Sequence, residues 1–390
     1  MTAADKILQK ALVGSKLDSR EWSTIQAGLR DRAFFSAKVE EARILAEARR
    51  MCADVADGRM DASEFRRDMR KVLDQTGYAA PGGGIRDMRT RARLDLVLDT
   101  QVRQARGWAQ WKEATTAGAL AAFPAQELVR VRQVKVERKW RERWAANGGR
   151  LFGGRMVALK NDPVWTRISR FGTPYPPFDF NSGMGVEDVD WDEAVELGLL
   201  KDDDPPPKME QKGFNDELSA KLPEGSEREL DPFLRETFGA QVSIDGNNVV
   251  HWNEHLIRDM LAGNGQMNAS LGQGKRNKAM LDMIPSEEMR TRAAQTGLTI
   301  SRQWMSTHGQ KHRNPSGKGG VNMPLEDGDY DLIPSLWRKP DGVEVHSKNE
   351  LELWIDTLDG GRLRMGVDLR KGSPTTFFKQ NMAAKAPSSA

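Results

Sequence analysis

All five histidines of this chain, His251, His255, His308, His312 and His346, lie beyond residue 250. Two pairs have i, i+4 spacing. His251-Trp252-Asn253-Glu254-His255 has the H-x-x-E-H order in which a helix turns two imidazoles toward one metal ion while a carboxylate activates water. Asn247-Asn248 disfavours that helix and nothing selects a third ligand, so surface or capping histidines are expected, with no metal and no cofactor. His308-Gly309-Gln310-Lys311-His312-Arg313 is the more telling pair. A histidine near its ordinary pKa can move protons, and the adjacent Lys311 and Arg313 can hold a phosphate.

A second candidate chemistry is electrostatic. Residues 128–155 hold nine basic side chains against Glu137 and Glu142, while residues 178–204 hold ten acidic ones against Lys201. Such blocks can neutralise each other across a domain surface or subunit contact. Alternatively, Arg130, Arg132, Lys135, Arg138, Arg141 and Arg143 can meet nucleic-acid phosphates without reading bases. Trp140 and Trp144, within the basic block, can stack or simply pack.

The elements that would position these groups divide the chain. At roughly 150 residues per domain, 390 residues suggest two or three domains. Residues 1–200 form the first. Leu94, Leu98, Val102, Ala105 and Trp108 keep helical spacing, as do Phe35, Val39, Ala42, Leu45, Cys52 and Val55. Pro81-Gly82-Gly83-Gly84 breaks the two helical runs, and residues 126–144 are also helical in propensity. Residues 148–190 crowd Gly, Pro and aromatics together and should form an ordered, aromatic-anchored loop rather than helix or central strand.

Residues 201–213, rich in Asp and Pro, read as a linker to a second domain over 214–380, with a disordered tail at 381–390. In that domain residues 254–294 read as helical. Leu351, Leu353 and Ile355 alternate with polar residues, as do Leu363, Met365, Val367 and Leu369, around an Asp359-Gly360-Gly361 turn. Val343–His346 and Thr375–Phe378 flank them. The overall class is α+β: a mainly helical first domain with a Pro/Gly-rich loop region, then an α+β domain ending in an antiparallel meander.

Composition excludes several functions. Lone Cys52 rules out an internal disulfide framework and any cysteine-based zinc site. No run approaches the roughly 18 apolar residues that span a bilayer, and the first residues do not read as a signal peptide. Synthesis and folding in a reducing cytoplasm follow as an expectation, without membrane contact.

Residues 17–190 resemble the phage minor head protein, or head morphogenesis, family typified by Mu-like phages. Three stretches carry the likeness: Leu17-Asp18-Ser19-Arg20-Glu21-Trp22 leading into Arg32-Ala33-Phe34-Phe35-Ser36-Ala37; Leu128-Val129-Arg130 through Trp140-Arg141-Glu142-Arg143-Trp144; and Met156 through Trp165, ending in Phe171-Gly172-Thr173-Pro174-Tyr175-Pro176-Pro177-Phe178-Asp179-Phe180-Asn181-Ser182-Gly183-Met184. Many members end that loop in an Asn-rich, cysteine-containing segment; here Asn181-Ser182-Gly183-Met184 stands, so no cysteine role carries over. The resemblance implies a low-copy virion component of the head, made in the host bacterial cytoplasm, with portal and capsid or scaffold proteins as partners. Tyr175, Pro176, Pro177, Phe178 and Phe180 would then form a preformed docking corner.

The region 250–379 more faintly resembles phage-associated nuclease-like domains of the barnase, EndoU, colicin and RelE-like superfamily. That likeness implies His308 and His312 as general acid and base, Arg313 and Arg338 as phosphate clamps, and His346 or Thr376 as a strand-borne site residue. Such an RNase needs no metal, since cations and proton transfer stabilise the crowded phosphorane. Two readings of this domain stand: an active nuclease or an inert module. The expected function is head morphogenesis near the portal; the alternatives are a virion-carried effector RNase and a DNA-packaging accessory.

Overall fold

A computed structural model describes residues 1–23, 25, 27–79, 82–134, 136–209, 219–221, 234, 242–244, 246–247, 249–252, 278–283, 303–306, 322–325, 329, 331–338, 340–347, 349–368 and 373–382. The chain separates into two compact units. Unit 1 holds Met1–Lys10, Leu17–Lys38 and Glu47–Asp216, and unit 2 holds Ala11–Lys16, Val39–Ala46 and Glu217–Ala390. The class is α+β, with antiparallel sheets.

In chain order the first elements are α1 (Ala3–Leu8), β1 (Ala11–Leu12), α2 (Ser19–Trp22), α3 (Ala27–Asp31), β2 (Ala33–Phe34), α4 (Ala42–Ala56), α5 (Ala62–Gln75) and α6 (Arg91–Ala114). Then follow α7 (Ala117–Ala122), β3 (Ala125–Arg130), α8 (Trp140–Ala146), β4 (Val157–Leu159), α9 (Val164–Ile168), β5 (Met184–Val189) and α10 (Trp191–Glu196). Local chemistry sets many of the helix starts. Thr2 with Asp5, Asp18 with Glu21, and Asp61 with Glu64 form reciprocal capping boxes on α1, α2 and α5. Thr90 caps α6 by accepting the Arg93 N–H. Along α6 the predicted stripe of Leu94, Leu98, Val102, Ala105 and Trp108 is buried.

The other helical stripe starts later than its spacing suggests. Phe35 and Val39 precede α4, and the Phe35 ring lies flat on Trp22 at 3.9 Å between centroids. The span 126–144 is also not one helix. Ala125–Arg130 is the central strand of the sheet β4-β3-β5, and only Trp140–Ala146 is helical. Pairing with β5 along its whole length and with β4 over Ala125–Glu127 outweighs its helical propensity. Residues 148–190 likewise contain β4, α9 and β5, while 171–180 has no regular element.

Unit 2 continues with β6 (Ser219–Lys221), β7 (Val242–Ile244), β8 (Val249–Trp252), β9 (Lys278–Met283), β10 (Gln303–Ser306), β11 (Asn322–Met323) and α11 (Ile333–Arg338). Four strands close it: β12 (Gly342–Ser347), β13 (Glu350–Asp356), β14 (Gly361–Asp368) and β15 (Ser373–Asn381). Most of residues 254–294 lie outside the described residues; the part described, β9, is strand rather than helix, because it pairs antiparallel with β10.

The last sheet runs β11-β15-β14-β13-β12, an antiparallel meander with β11 added at one edge. Its register places Leu351 opposite Val367, Leu353 opposite Met365 and Ile355 opposite Leu363, all buried. The period-two alternation puts these on one face. Gly360, at φ 80°, takes the left-handed position of the β13–β14 turn that a side chain would strain. Also within unit 2, the Arg43 Nη1 donates to the Asp356 carbonyl at 3.0 Å and lies 3.2 Å from Asp341.

Candidate functional site

The long aromatic loop of unit 1 turns inward. Tyr175 and Phe178 are buried, and Phe178 packs on Trp165 at 6.0 Å. The Tyr175 hydroxyl donates to Asp31 at 2.6 Å and accepts from the Lys6 ammonium at 2.6 Å, which also reaches Asp31 at 3.0 Å. Burial drives the Lys6 pKa down to about 7, against the pull of Asp31. Burial pushes the Asp31 carboxyl up, but Lys6, Lys10 and the Tyr175 hydroxyl outweigh it and hold it below the usual carboxylate range. Burial and the Asp31 charge together raise the Tyr175 hydroxyl well above its ordinary value.

Beside this triad the same loop carries Asp179, a 5 % exposed carboxylate that gathers three guanidiniums. Arg143 lies at 3.0 Å, Arg138 at 3.7 Å and Arg170 at 4.0 Å. Arg138 also donates to the Phe180 carbonyl at 2.6 Å. Farther along, Arg155 pairs with Glu127 at 2.6 Å and Glu193 at 2.5 Å. The basic and acidic blocks therefore meet inside unit 1, at Asp179 and at Glu193.

Between α6, the 19–37 segment and this loop lies a cavity of about 820 Å³. Lys10, Arg30 and Arg93 line it, with Arg132, Arg138 and Arg170. Asp31, Asp95 and Asp99 are its acidic groups, and Trp22, Phe35, Phe171 and Phe180 its aromatic ones.

The residues singled out from sequence fall as follows. Among the nucleic-acid candidates, Arg130, Arg132, Arg138 and Arg141 are exposed, Arg143 is half-buried on Asp179, and Lys135 lies outside the described residues. Arg130 faces Glu137 at 3.5 Å and Arg132 faces Asp99 at 3.9 Å. In the docking corner, Tyr175, Pro177 and Phe178 are buried, while Pro176 and Phe180 are half-exposed. The exposed part of that corner is thus small, and its aromatic chemistry is spent on the interior.

In unit 2, His308, His312 and Arg313 lie outside the described residues, as do His255 and the side chain of Arg338 at the end of α11. His251 sits on strand β8 rather than on a helix, while Asn253, Glu254 and His255 of the H-x-x-E-H pattern lie outside the described residues. No group of metal-binding side chains occurs among the described residues. Exposed His346 lies on β12 and exposed Thr376 on β15, whose hydroxyl accepts the Gly366 N–H at 3.3 Å. With β13 and β14 between them, the two strands stand roughly 14 Å apart at the usual strand spacing.

Lys6, Lys10, Asp31 and Arg93 were not foreseen. The available signal was faint: Lys6 and Lys10 at i, i+4 beside apolar Ile7 and Ala11, a pattern that ordinarily reads as a solvated edge. Comparison with family models, curated proteins and solved structures finds no match to this chain. No helix among the described residues is long and apolar enough to cross a membrane.

Proposed function

We propose that this chain is a minor virion protein acting in head morphogenesis, docking near the portal of a tailed-phage head. One observation carries the reading. Two of the three stretches behind the family resemblance, the second and the third, share one buried core. Leu128, Trp140 and Trp144 of the second stretch join Met156, Val164, Trp165, Phe178 and Met184 of the third in a single buried cluster. The first stretch brackets Asp31, which receives Tyr175 of the third.

The Trp144 and Trp165 rings meet edge to face at 5.0 Å, and their indole N–H groups donate to the carbonyls of Arg150 and Leu159. Such satisfied aromatic packing gives a rigid body that loses little conformational freedom on docking. Portal and capsid or scaffold proteins are the partners in this reading. Co-expression of the tagged chain with the portal protein of its own phage should yield a co-purifying complex, and mass spectrometry of purified heads should find it at low copy. Heads that assemble and infect normally without it would refute the role. Incubating the full chain with RNA in EDTA tests the RNase alternative, which requires cleavage that His312→Ala abolishes.

A further inference from the structure

The cavity of unit 1 has an uneven charge pattern. Each of its carboxylates already has a cation: Asp31 has Lys6, Asp95 has Arg66 and Arg91, and Asp99 has Arg103 and Arg132. Three of its cations have no carboxylate within ion-pair distance among the described residues: Lys10 and Arg30 feel Asp31 only at longer range, and Arg93 faces none. Arg93, only 8 % exposed, donates through Nη2 to Ser36 Oγ at 2.7 Å and to the Ala37 carbonyl at 3.2 Å, and its buried Nε has no partner. Among the described residues Arg30 donates to the carbonyls of Ile25 and Arg170. Lys10, 1 % exposed, donates to the Gln101 side-chain oxygen at 2.9 Å. Burial disfavours the charged form of all three groups. A buried guanidinium with no carboxylate beside it, as at Arg93, is costly, and Arg30 and Lys10 share one distant carboxylate, so this wall has room for an anion that arrives from outside.

We propose that this cavity is a binding site for a small phosphate ester of the nucleotide class, its phosphate held by Arg93 and Arg30 and its ring against the aromatic wall. Charge selects phosphate over carboxylate: a phosphate monoester carries about −1.5 to −2 at neutral pH, which matches two fixed guanidiniums, whereas one carboxylate leaves one uncompensated. The planar guanidinium fork suits phosphate geometry. Depth selects a small ligand over a polymer, because a strand or peptide lying on the surface cannot reach Arg93 or Lys10. The cavity's size, about 820 Å³, falls within the roughly 300–1,000 Å³ of small-molecule sites. Trp22, Phe35, Phe171 and Phe180 supply apolar faces for a base. The proposal is independent of the head-assembly role.

Isothermal titration of the full chain with the four ribonucleoside monophosphates, the matching nucleosides, and inorganic phosphate tests it. At least one monophosphate should bind, its nucleoside should not, and inorganic phosphate should bind about tenfold or more weakly. Arg93→Gln and Arg30→Gln should each weaken that binding about tenfold or more, with unchanged circular dichroism, whereas Arg91→Gln, outside the wall, should not. If Arg93→Gln fails to fold, Arg30→Gln decides. The proposal fails if no monophosphate binds, if Arg30→Gln binds as tightly as the parent, or if only a single-stranded oligonucleotide or an acidic peptide binds.

Discussion

Lys6 has no exposed surface, and its ammonium is held by one carboxylate and one phenol. Its folded-state pKa of about 7 lies below the ordinary 10.5, so between those values the unfolded chain binds more protons. Stability contributed by this group is therefore lost as pH falls through that window and gained as pH rises. Tyr175, raised above its ordinary range, acts in the opposite sense once pH exceeds about 10. Urea unfolding of unit 1 should show stability climbing from about pH 7 to about pH 10, by up to about 1.4 kcal/mol per unit for one proton. Lys6→Met should flatten that slope without abolishing it, since buried Lys10 titrates in the same sense. An identical slope in the variant would show that Lys6 is charged and solvated in solution.

At the scale of elements, α6 and the aromatic loop are fitted to each other at one backbone position. A Cβ on Gly107 would overlap the Pro176 carbonyl oxygen, which cannot yield as a flexible side chain could. Gly107→Ala should destabilise unit 1 by at least about 2 kcal/mol in thermal unfolding, despite alanine's better helix propensity. The control is Gly118→Ala on α7, where nothing lies within 4 Å; it should be neutral or stabilising by up to about 1 kcal/mol. Equal behaviour of the two would mean the helix and loop are not in contact.

The same pair of elements marks how far the sequence could be read. The α6 stripe from Leu94 to Trp108 was legible because its period is local, and the strands β13 and β14 were legible because Leu351, Leu353, Leu363 and Met365 alternate around a turn glycine. Strand β3 was not, because its partners β4 and β5 lie some thirty to sixty residues downstream and its own composition favours helix. The pairing of Lys6 with Tyr175 across 169 positions leaves no local trace, and neither does the uncompensated charge of Arg93. Both depend on which carboxylates the fold assigns elsewhere. The alternation around β13 and β14 says nothing of chemistry, so His346 and Thr376 could be named as candidates without their separation being visible.

At the scale of the whole molecule, unit 2 is not a simple carboxy-terminal domain. It includes Ala11–Lys16 and Val39–Ala46, and Arg43 from the second segment binds Asp341 and the Asp356 carbonyl. A fragment beginning at Glu217 should therefore be less stable than the same residues in the full chain. Hydrogen exchange at the β13 and β14 amides should be faster in the fragment by about tenfold or more, as loss of a charge-assisted contact to the sheet end implies. Equal protection would mean that the early segments add nothing. Activity tests of unit 2 for this reason belong on the full chain.

That interleaving also has a temporal side. On the ribosome, Ala46 emerges long before Glu217, which follows 217 − 46 = 171 residues later. At about 5–20 residues per second that gap lasts on the order of ten seconds or more. For that interval two short segments at the amino end have been made while the strands that complete their unit do not yet exist. Unit 1 can close once residue 216 is out; unit 2 must wait for strand β15, Ser373–Asn381.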